Sequence, residues 1–131
     1  MDCQCEFTDA FFQLAGPRWK LAKAIAIHES SLNPHAVGDG GDAQGLWQMH
    51  AAFAVDHTPL LSYPVAVWVL LRGVPFVSVR IMAAFLAKMG ASVSDGDVIG
   101  AFHYGVAGWN SCASKAIDQY VKAVLAILAA L

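Results

Sequence analysis

The sequence predicts a mainly α-helical domain with one long loop rich in glycine and aspartate. Apolar residues recur at helical spacing between recognisable caps, whereas the alternation of apolar and polar residues typical of strands is nearly absent. Residues 37–43 are the exception, because glycine and aspartate there favour tight turns or a small β-hairpin. We therefore expect five or six helices around one core.

The first half of the chain contains a short helix and a longer one. Residues 9–14 form the short helical piece. The longer helix starts at Pro17, since proline is accepted in the first turn, and runs to about Ser30 before Asn33-Pro34 stops it. Residues 45–49 are too few for a helix of their own, so we expect an extended segment or a single turn.

The second half is predicted to be helical almost throughout. One helix begins at Tyr63-Pro64 and weakens at Gly73, and the next begins at Pro75 and reaches Met89, with Gly90 as its C-terminal stop.

Serine residues mark the starts of the remaining helices. Ser94 caps a helix that has two aspartates in its first turn, where acids suit the helix dipole, and that ends at Gly105. The last helix begins at Ser111 or Ser114 and carries apolar residues to the end of the sequence.

Composition limits the class of protein. Of the 131 residues, 57% are hydrophobic and 14% are charged, which predicts a single domain over residues 1–131 with a thin polar coat that docks onto something larger. The formal net charge of -2, without a basic stripe, argues against nucleic-acid binding.

The longest apolar runs, residues 65–71 and 124–131, fall well short of the roughly 20 residues of a transmembrane helix. The N-terminus carries acids where a signal peptide has basic residues, so we expect no signal peptide.

The cysteines and histidines predict no metal site and no cofactor. Cys3 and Cys5 lack a second pair of metal ligands at a useful spacing, and the five histidines show no metal-binding pattern. A disulfide from Cys3 or Cys5 to Cys112 fits an oxidising compartment, whereas free thiols fit a reducing one. Both alternatives stay open.

Glu29 is the first candidate catalytic residue. On the predicted helix it lies roughly 150° from the direction of Lys20 and Lys23, and so on the inward, apolar face. Burial and the negative end of the helix dipole should both raise the pKa of this carboxyl. A carboxyl that keeps its proton near neutral pH is suited to general acid catalysis. The alternative is that Glu29 turns towards water, as most glutamates do.

Four blocks follow in order from this acid: Glu29-Ser30, Asn33-Pro34-His35-Ala36, a turn rich in glycine over residues 38–41, and Gly45-Leu46-Trp47-Gln48. Together they resemble the active-site region of the lysozyme-like superfamily, and soluble lytic transglycosylases and goose-type lysozymes are the most similar branches. A looser match is GAFHYG at residues 100–105, where these families usually have Ala-Tyr-Asn-x-Gly.

The resemblance implies a lysozyme-like helical domain that cleaves peptidoglycan glycan strands. Glu29 would protonate the glycosidic oxygen between N-acetylmuramic acid and N-acetylglucosamine, and Ser30 would position the substrate or the acid. Gln44, Gln48 and the backbone near Gly45 would line the cleft and bond the N-acetyl groups, because amide-rich sugars need paired donors and acceptors.

Aromatic and imidazole side chains leave further alternatives. Trp47 either stacks on a sugar face or packs in the core. In the looser motif Phe102 and His103 replace the usual tyrosine and asparagine. Either Tyr104 places its hydroxyl near Glu29 from a shifted register, which we favour, or the imidazole of His103 takes that position. Both are also candidates for binding the substrate.

The sequence leaves the reaction type open. Ordinary glycosidases use two carboxylates, and inverting ones hold them about 6.5–9.5 Å apart. Lytic transglycosylases typically use one and form a 1,6-anhydro product. Asp39 lies where goose-type lysozymes carry an acid, which makes it a candidate base. The alternative for Asp39 and Asp42 is turn formation.

The biological setting predicted by the resemblance is the bacterial cell wall or periplasm. A bare domain without an export signal resembles a phage product, either an endolysin or a wall-piercing component that contacts other virion or tail proteins. A secretion-system transglycosylase is the alternative source. Two other functions compete: a catalytically impaired glycan-binding or structural module of a virion or secretion assembly, and a small membrane-active protein, against which the short apolar runs argue.

Overall fold

The computed structural model describes residues 7–59 and 64–131. It is mostly helical and has a two-stranded antiparallel sheet, as the sequence predicts. The α-helices in this part of the chain are α1 (Asp9–Phe12), α2 (Trp19–Ser30), α3 (Ala51–Asp56), α4 (Val65–Leu70), α5 (Pro75–Met89), α6 (Asp95–Tyr104), α7 (Val106–Asn110) and α8 (Gln119–Ala129). The described part of the chain thus holds eight helices rather than five or six, because α3 and α7 are separate short helices that lack strong sequence caps.

The caps of the middle helices match the sequence signals. α5 begins with Pro75 and ends at Gly90, and the Ser94 side chain accepts a hydrogen bond from the backbone N–H of Asp97 at the start of α6. α2 begins at Trp19 rather than Pro17 and ends at Ser30, as predicted, where Ser31 adopts a left-handed conformation with φ 52°.

The predicted start of the last helix is wrong. α8 begins after Asp118, whose carboxylate accepts a hydrogen bond from the backbone N–H of Val121. Ser111 lies instead at the C-terminal end of α7, where its hydroxyl donates to the carbonyl of Ala107. Ser114 precedes the short 3₁₀ turn Lys115–Ile117. An aspartate therefore caps the helix, as its ability to accept from the first-turn N–H groups allows.

The core is organised around α2. This helix buries a face of small and branched residues, and α8 packs against it. Trp47 is fully buried, and its indole N–H donates to the carbonyl of Ala22 at 2.8 Å. Of the two alternatives for Trp47, packing in the core is therefore confirmed.

A small hairpin forms the long loop. β1 (Val37–Gly38) pairs antiparallel with β2 (Ala43–Gln44), and the 3₁₀ turn Asp39–Gly41 joins them. Gln44 and Met49 then exchange backbone hydrogen bonds, so residues 45–49 form one tight turn, as predicted. Gly45 has φ 79°, and a Cβ there would lie 2.7 Å from the carbonyl oxygen of Gly73, so this turn requires glycine.

Cys3, Cys5 and Tyr63 lie outside the described residues, so the disulfide alternatives stay predictions. Cys112 is partly buried, and its Sγ lies 3.8 Å from the hydroxyl of Ser114. No helix in the described part of the chain is long and apolar enough to span a membrane.

Candidate active site

Glu29 lies in the last turn of α2 and pairs with a tyrosine of α8. The Tyr120 hydroxyl donates a hydrogen bond of 2.6 Å to Glu29 Oε2, and both side chains are partly buried. Glu29 therefore does not extend freely into water, because its carboxylate is held against the first turn of the last helix.

Tyr120 is a hydrogen-bond donor in this pair. Burial, followed by the charge of Glu29 and the hydrogen bond to it, raises the pKa of the Tyr120 phenol above its ordinary value. The phenol therefore keeps its proton at neutral pH and donates it in the hydrogen bond to the carboxylate.

The group beside Glu29 is thus neither of the two that the sequence suggests. The Tyr104 hydroxyl donates instead to Asp118 Oδ2 at 2.5 Å. His103 contacts the Tyr120 ring, since the two rings lie nearly parallel with centroids 3.8 Å apart. The favoured hydroxyl of Tyr104 was therefore the wrong tyrosine, because Tyr120 is brought to Glu29 by the packing of α8 on α2.

Ser30 links α2 to the tight turn of residues 45–49, called the motif turn below. Its hydroxyl lies 2.7 Å from the carbonyl of Leu46 and 3.1 Å from that of Ala26. The residue next to Glu29 thus fixes the distance between the end of α2 and the Gly45–Gln48 segment.

The two glutamines predicted to bind sugar also brace the hairpin. Gln48, in a left-handed conformation with φ 47°, donates its amide to the carbonyls of Ala36 and Gly45 at 2.9 and 3.0 Å. Gln44 donates its amide to the carbonyl of Gly41 at 3.0 Å. These contacts shape the loop, and sugar binding by either glutamine remains a prediction.

Asp39 is part of an exposed ionic cluster. Its Oδ2 lies 2.8 Å from His50 Nε2, and the other ring nitrogen of His50 lies 2.9 Å from Asp42 Oδ2. The backbone N–H of Ala51, and then the charges of His50 and Arg72, lower the pKa of Asp42. Both aspartates therefore contribute to holding the hairpin against the start of α3.

Arg72 binds Asp42 of this cluster through its guanidinium. The guanidinium is largely buried and donates to the carbonyls of Met49, Val69 and Asp42 and to the Asp42 carboxylate, at 2.7–3.2 Å. Arg72 was not predicted from the sequence as part of the site. Its signal was weak: a lone cation in an apolar segment.

A groove borders the hairpin. It has a volume of about 250 Å³ and lies between the hairpin side, including Val37 and Gln44, and the end of α4 with its connection to α5, including Leu70 and Val74. It opens next to Gly45, so the motif turn forms part of its wall. Among the described residues, no group of three or more His, Cys, Asp and Glu side chains is arranged to hold a metal ion.

A family model described as the transglycosylase SLT domain matches residues 13–115. The chain belongs to this family. SLT domains are part of the lysozyme-like superfamily, so the resemblance drawn from the four blocks is confirmed. Searches of curated proteins and of solved structures gave no match.

The SLT match covers the elements that build the site. It includes α2 with Glu29, the hairpin, the motif turn and α6, and it ends before Tyr120. Membership of the SLT family supports a peptidoglycan-cleaving function of the lytic transglycosylase type.

Proposed function

We propose that this SLT domain is a lytic transglycosylase that cleaves the β-1,4 bond between N-acetylmuramic acid and N-acetylglucosamine, with Glu29 as general acid and then general base. The observation that carries the proposal is the 2.6 Å hydrogen bond from Tyr120 to Glu29, the residue at which the four blocks that resemble the family begin. A single carboxyl with a fixed donor beside it can both release and recover one proton.

The reaction needs one proton carried by Glu29. The protonated carboxyl gives its proton to the departing O4 of N-acetylglucosamine while the bond from C1 of the muramic acid residue breaks. The N-acetyl group of that residue stabilises the positive charge that develops at C1. The 6-hydroxyl then attacks C1, and its proton returns to Glu29, so a 1,6-anhydro ring forms and no water is consumed.

Tyr120 stabilises the anionic form of Glu29 between these two steps. A hydrogen bond to a carboxylate is stronger than one between neutral groups, so the bond strengthens as Glu29 loses its proton. The phenol orients the carboxylate and leaves its second oxygen for the substrate.

Asp39 supports the one-carboxylate mechanism. A hydrolase needs a second carboxylate to activate water, and the Asp39 carboxylate, the candidate for that task, pairs with His50 in the cluster that braces the hairpin. We therefore propose transglycosylation rather than lysozyme-type hydrolysis, and we assign Asp39 to loop structure.

The motif turn supplies the remaining substrate contacts in this proposal. Ser30 and Gln48 fix the backbone around Gly45, and the groove beside it includes the Gln44 side chain, whose amide can bond an N-acetyl group. We retain Gln44 as a candidate substrate contact. The substrate places the domain at the bacterial cell wall, and a virion or phage origin stays a prediction.

A glycan-binding module without turnover is the second candidate function. Phe102 and His103 favour it, because they replace the usual tyrosine and asparagine of the second motif.

Mass spectrometry of fragments released from purified peptidoglycan tests the proposal. We expect muropeptides with 1,6-anhydro ends from the unaltered protein. Reducing ends would show a hydrolase, and the role of Asp39 would then be reopened. Binding to peptidoglycan without any released fragment would support the module without turnover.

A further inference from the structure

We propose that His103 is a positioning residue, whose imidazole stacks on the Tyr120 ring and so holds the Tyr120 hydroxyl on Glu29. The inference rests on the proposed function, because it concerns a residue that serves the same carboxyl. It goes further by assigning the histidine of the altered motif to a task other than contact with the sugar.

The stacking geometry fixes the plane of the phenol. The rings of His103 and Tyr120 lie 3.8 Å apart between centroids with planes 13° apart. His28, one residue before Glu29 in α2, meets the Tyr120 ring edge to face at 4.9 Å and 89°. The phenol therefore touches imidazoles of both α6 and α2, and a rotation of its ring would break one contact or the other.

The residue next to His103, Tyr104, connects α6 to α8. Tyr104 donates to Asp118, and Asp118 caps α8 two residues before Tyr120. Tyr104 is in turn stacked on Trp109, with planes 6° apart. The end of α6 therefore contacts the start of α8 through two consecutive side chains, of which His103 is the one that reaches the Tyr120 ring.

The solvent exposure of His103 distinguishes a positioning role from a role in core packing. His103 is exposed to solvent, whereas the stacked Tyr120 is partly buried. Loss of an exposed side chain changes the stability of a fold little. Misplacement of a catalytic hydrogen-bonding group by a fraction of an ångström, in contrast, lowers the rate of reaction. Substitution of His103 should accordingly affect the chemical step more than the folded state.

The test compares His103→Ala, which removes the ring, with His103→Phe, which keeps a ring able to stack. Initial rates on soluble glycan strands give kcat and KM separately. We expect His103→Ala to lower kcat roughly tenfold with KM unchanged, because a displaced phenol impairs the reaction step and not sugar binding. His103→Phe should retain kcat within about twofold, since an aromatic pair replaces the imidazole stack.

A double-mutant cycle with Tyr120→Phe tests whether His103 affects kcat through the Tyr120 hydroxyl. If His103 acts through the Tyr120 hydroxyl, His103→Ala should cause no further loss of kcat once that hydroxyl is absent. Lys122→Ala, at an exposed position on α8, is the matched control, and thermal unfolding shows that each variant is folded.

Three results would overturn the inference: unchanged kcat in His103→Ala, an effect confined to KM, or additive losses in the double variant. The second of these would assign His103 to the sugar. Glu29→Gln, measured in parallel, separates the two levels of the proposal. An inactive Glu29→Gln together with a fully active His103→Ala leaves the function standing and removes only the positioning role, whereas an active Glu29→Gln removes the function itself.

Discussion

Two phenol–carboxylate pairs lie at the start of α8, and they differ in their surroundings. Tyr120 donates to Glu29 at 2.6 Å and Tyr104 donates to Asp118 at 2.5 Å, so their hydrogen-bond lengths are nearly equal. The first pair is partly buried and joins α8 to α2. The second is exposed and joins α8 to α6. The comparison shows that a short hydrogen bond alone does not identify a catalytic acid.

The pKa shifts of the two phenols have different origins. Burial is the main reason that the pKa of Tyr120 is raised, whereas the hydrogen bond to Asp118 is the main reason for Tyr104. Water competes with a hydrogen bond at the surface but much less in a partly buried site. The Tyr120–Glu29 hydrogen bond is therefore the better shielded from water, whereas the Tyr104–Asp118 hydrogen bond joins α6 to α8 at the surface.

Removal of one hydroxyl from each pair should separate their roles. Tyr120→Phe leaves Glu29 without its donor, and we expect the rate of cleavage to fall roughly 30-fold, equivalent to about 2 kcal/mol for a hydrogen bond to a charged group. Tyr104→Phe removes the same atom from the exposed pair and should cost less than about threefold. Rates of fragment release from peptidoglycan measure both, and equal losses would contradict the distinction.

The exposed Tyr104–Asp118 pair should affect the stability of the folded protein rather than the rate of cleavage. The hydrogen bond from Tyr104, and then that from the Val121 N–H, lower the pKa of Asp118 below 3.8. A lowered carboxyl pKa stabilises the folded state above the ordinary value of 3.8, and this contribution is lost as pH falls through the folded-state pKa.

Asp118→Asn keeps a side-chain cap but removes the charge. We expect its unfolding temperature to lie below that of the unaltered protein at neutral pH, and the gap to close as pH falls below about 4. Thermal unfolding by circular dichroism across this range measures the gap. A gap that widens on acidification would show that the charge of Asp118 does not stabilise the fold.

The third carboxylate, Asp39, should give the smallest effect on catalysis. Asp39→Asn weakens an exposed pair with His50, which typically contributes at most about 1 kcal/mol to stability. Because we assign it no step of the reaction, fragment release should stay within about twofold of the unaltered rate. A loss of activity comparable to that of Tyr120→Phe would make Asp39 a second catalytic carboxylate and would favour hydrolysis.

Local signals in the sequence were enough to predict the fold class and several boundaries. Pro75, Gly90 and Ser94 act through their own backbone or through neighbours within one turn, so their effects are visible in a short window of sequence. The four blocks from Glu29 to Gln48 are likewise close together in the chain, and the family match confirms the resemblance that they suggested.

Contacts between distant residues could not be predicted in this way. Tyr120 is 91 residues from Glu29 and reaches it only because α8 packs on α2. Nothing in the local sequence around Tyr120 marks it as a partner of an acid. The pairing of His50 with Asp39 and the buried anchor Arg72 depend equally on the folded hairpin.

Cleavage of peptidoglycan by Glu29→Gln tests the central claim most directly, because glutamine keeps the size and hydrogen-bonding shape of the side chain but cannot give up a proton. We predict that this variant unfolds at nearly the same temperature as the unaltered protein, still sediments with insoluble peptidoglycan, and releases no anhydro-muropeptides above background. Release at the rate of the unaltered protein would contradict the account, since the proton would then have to come from another residue.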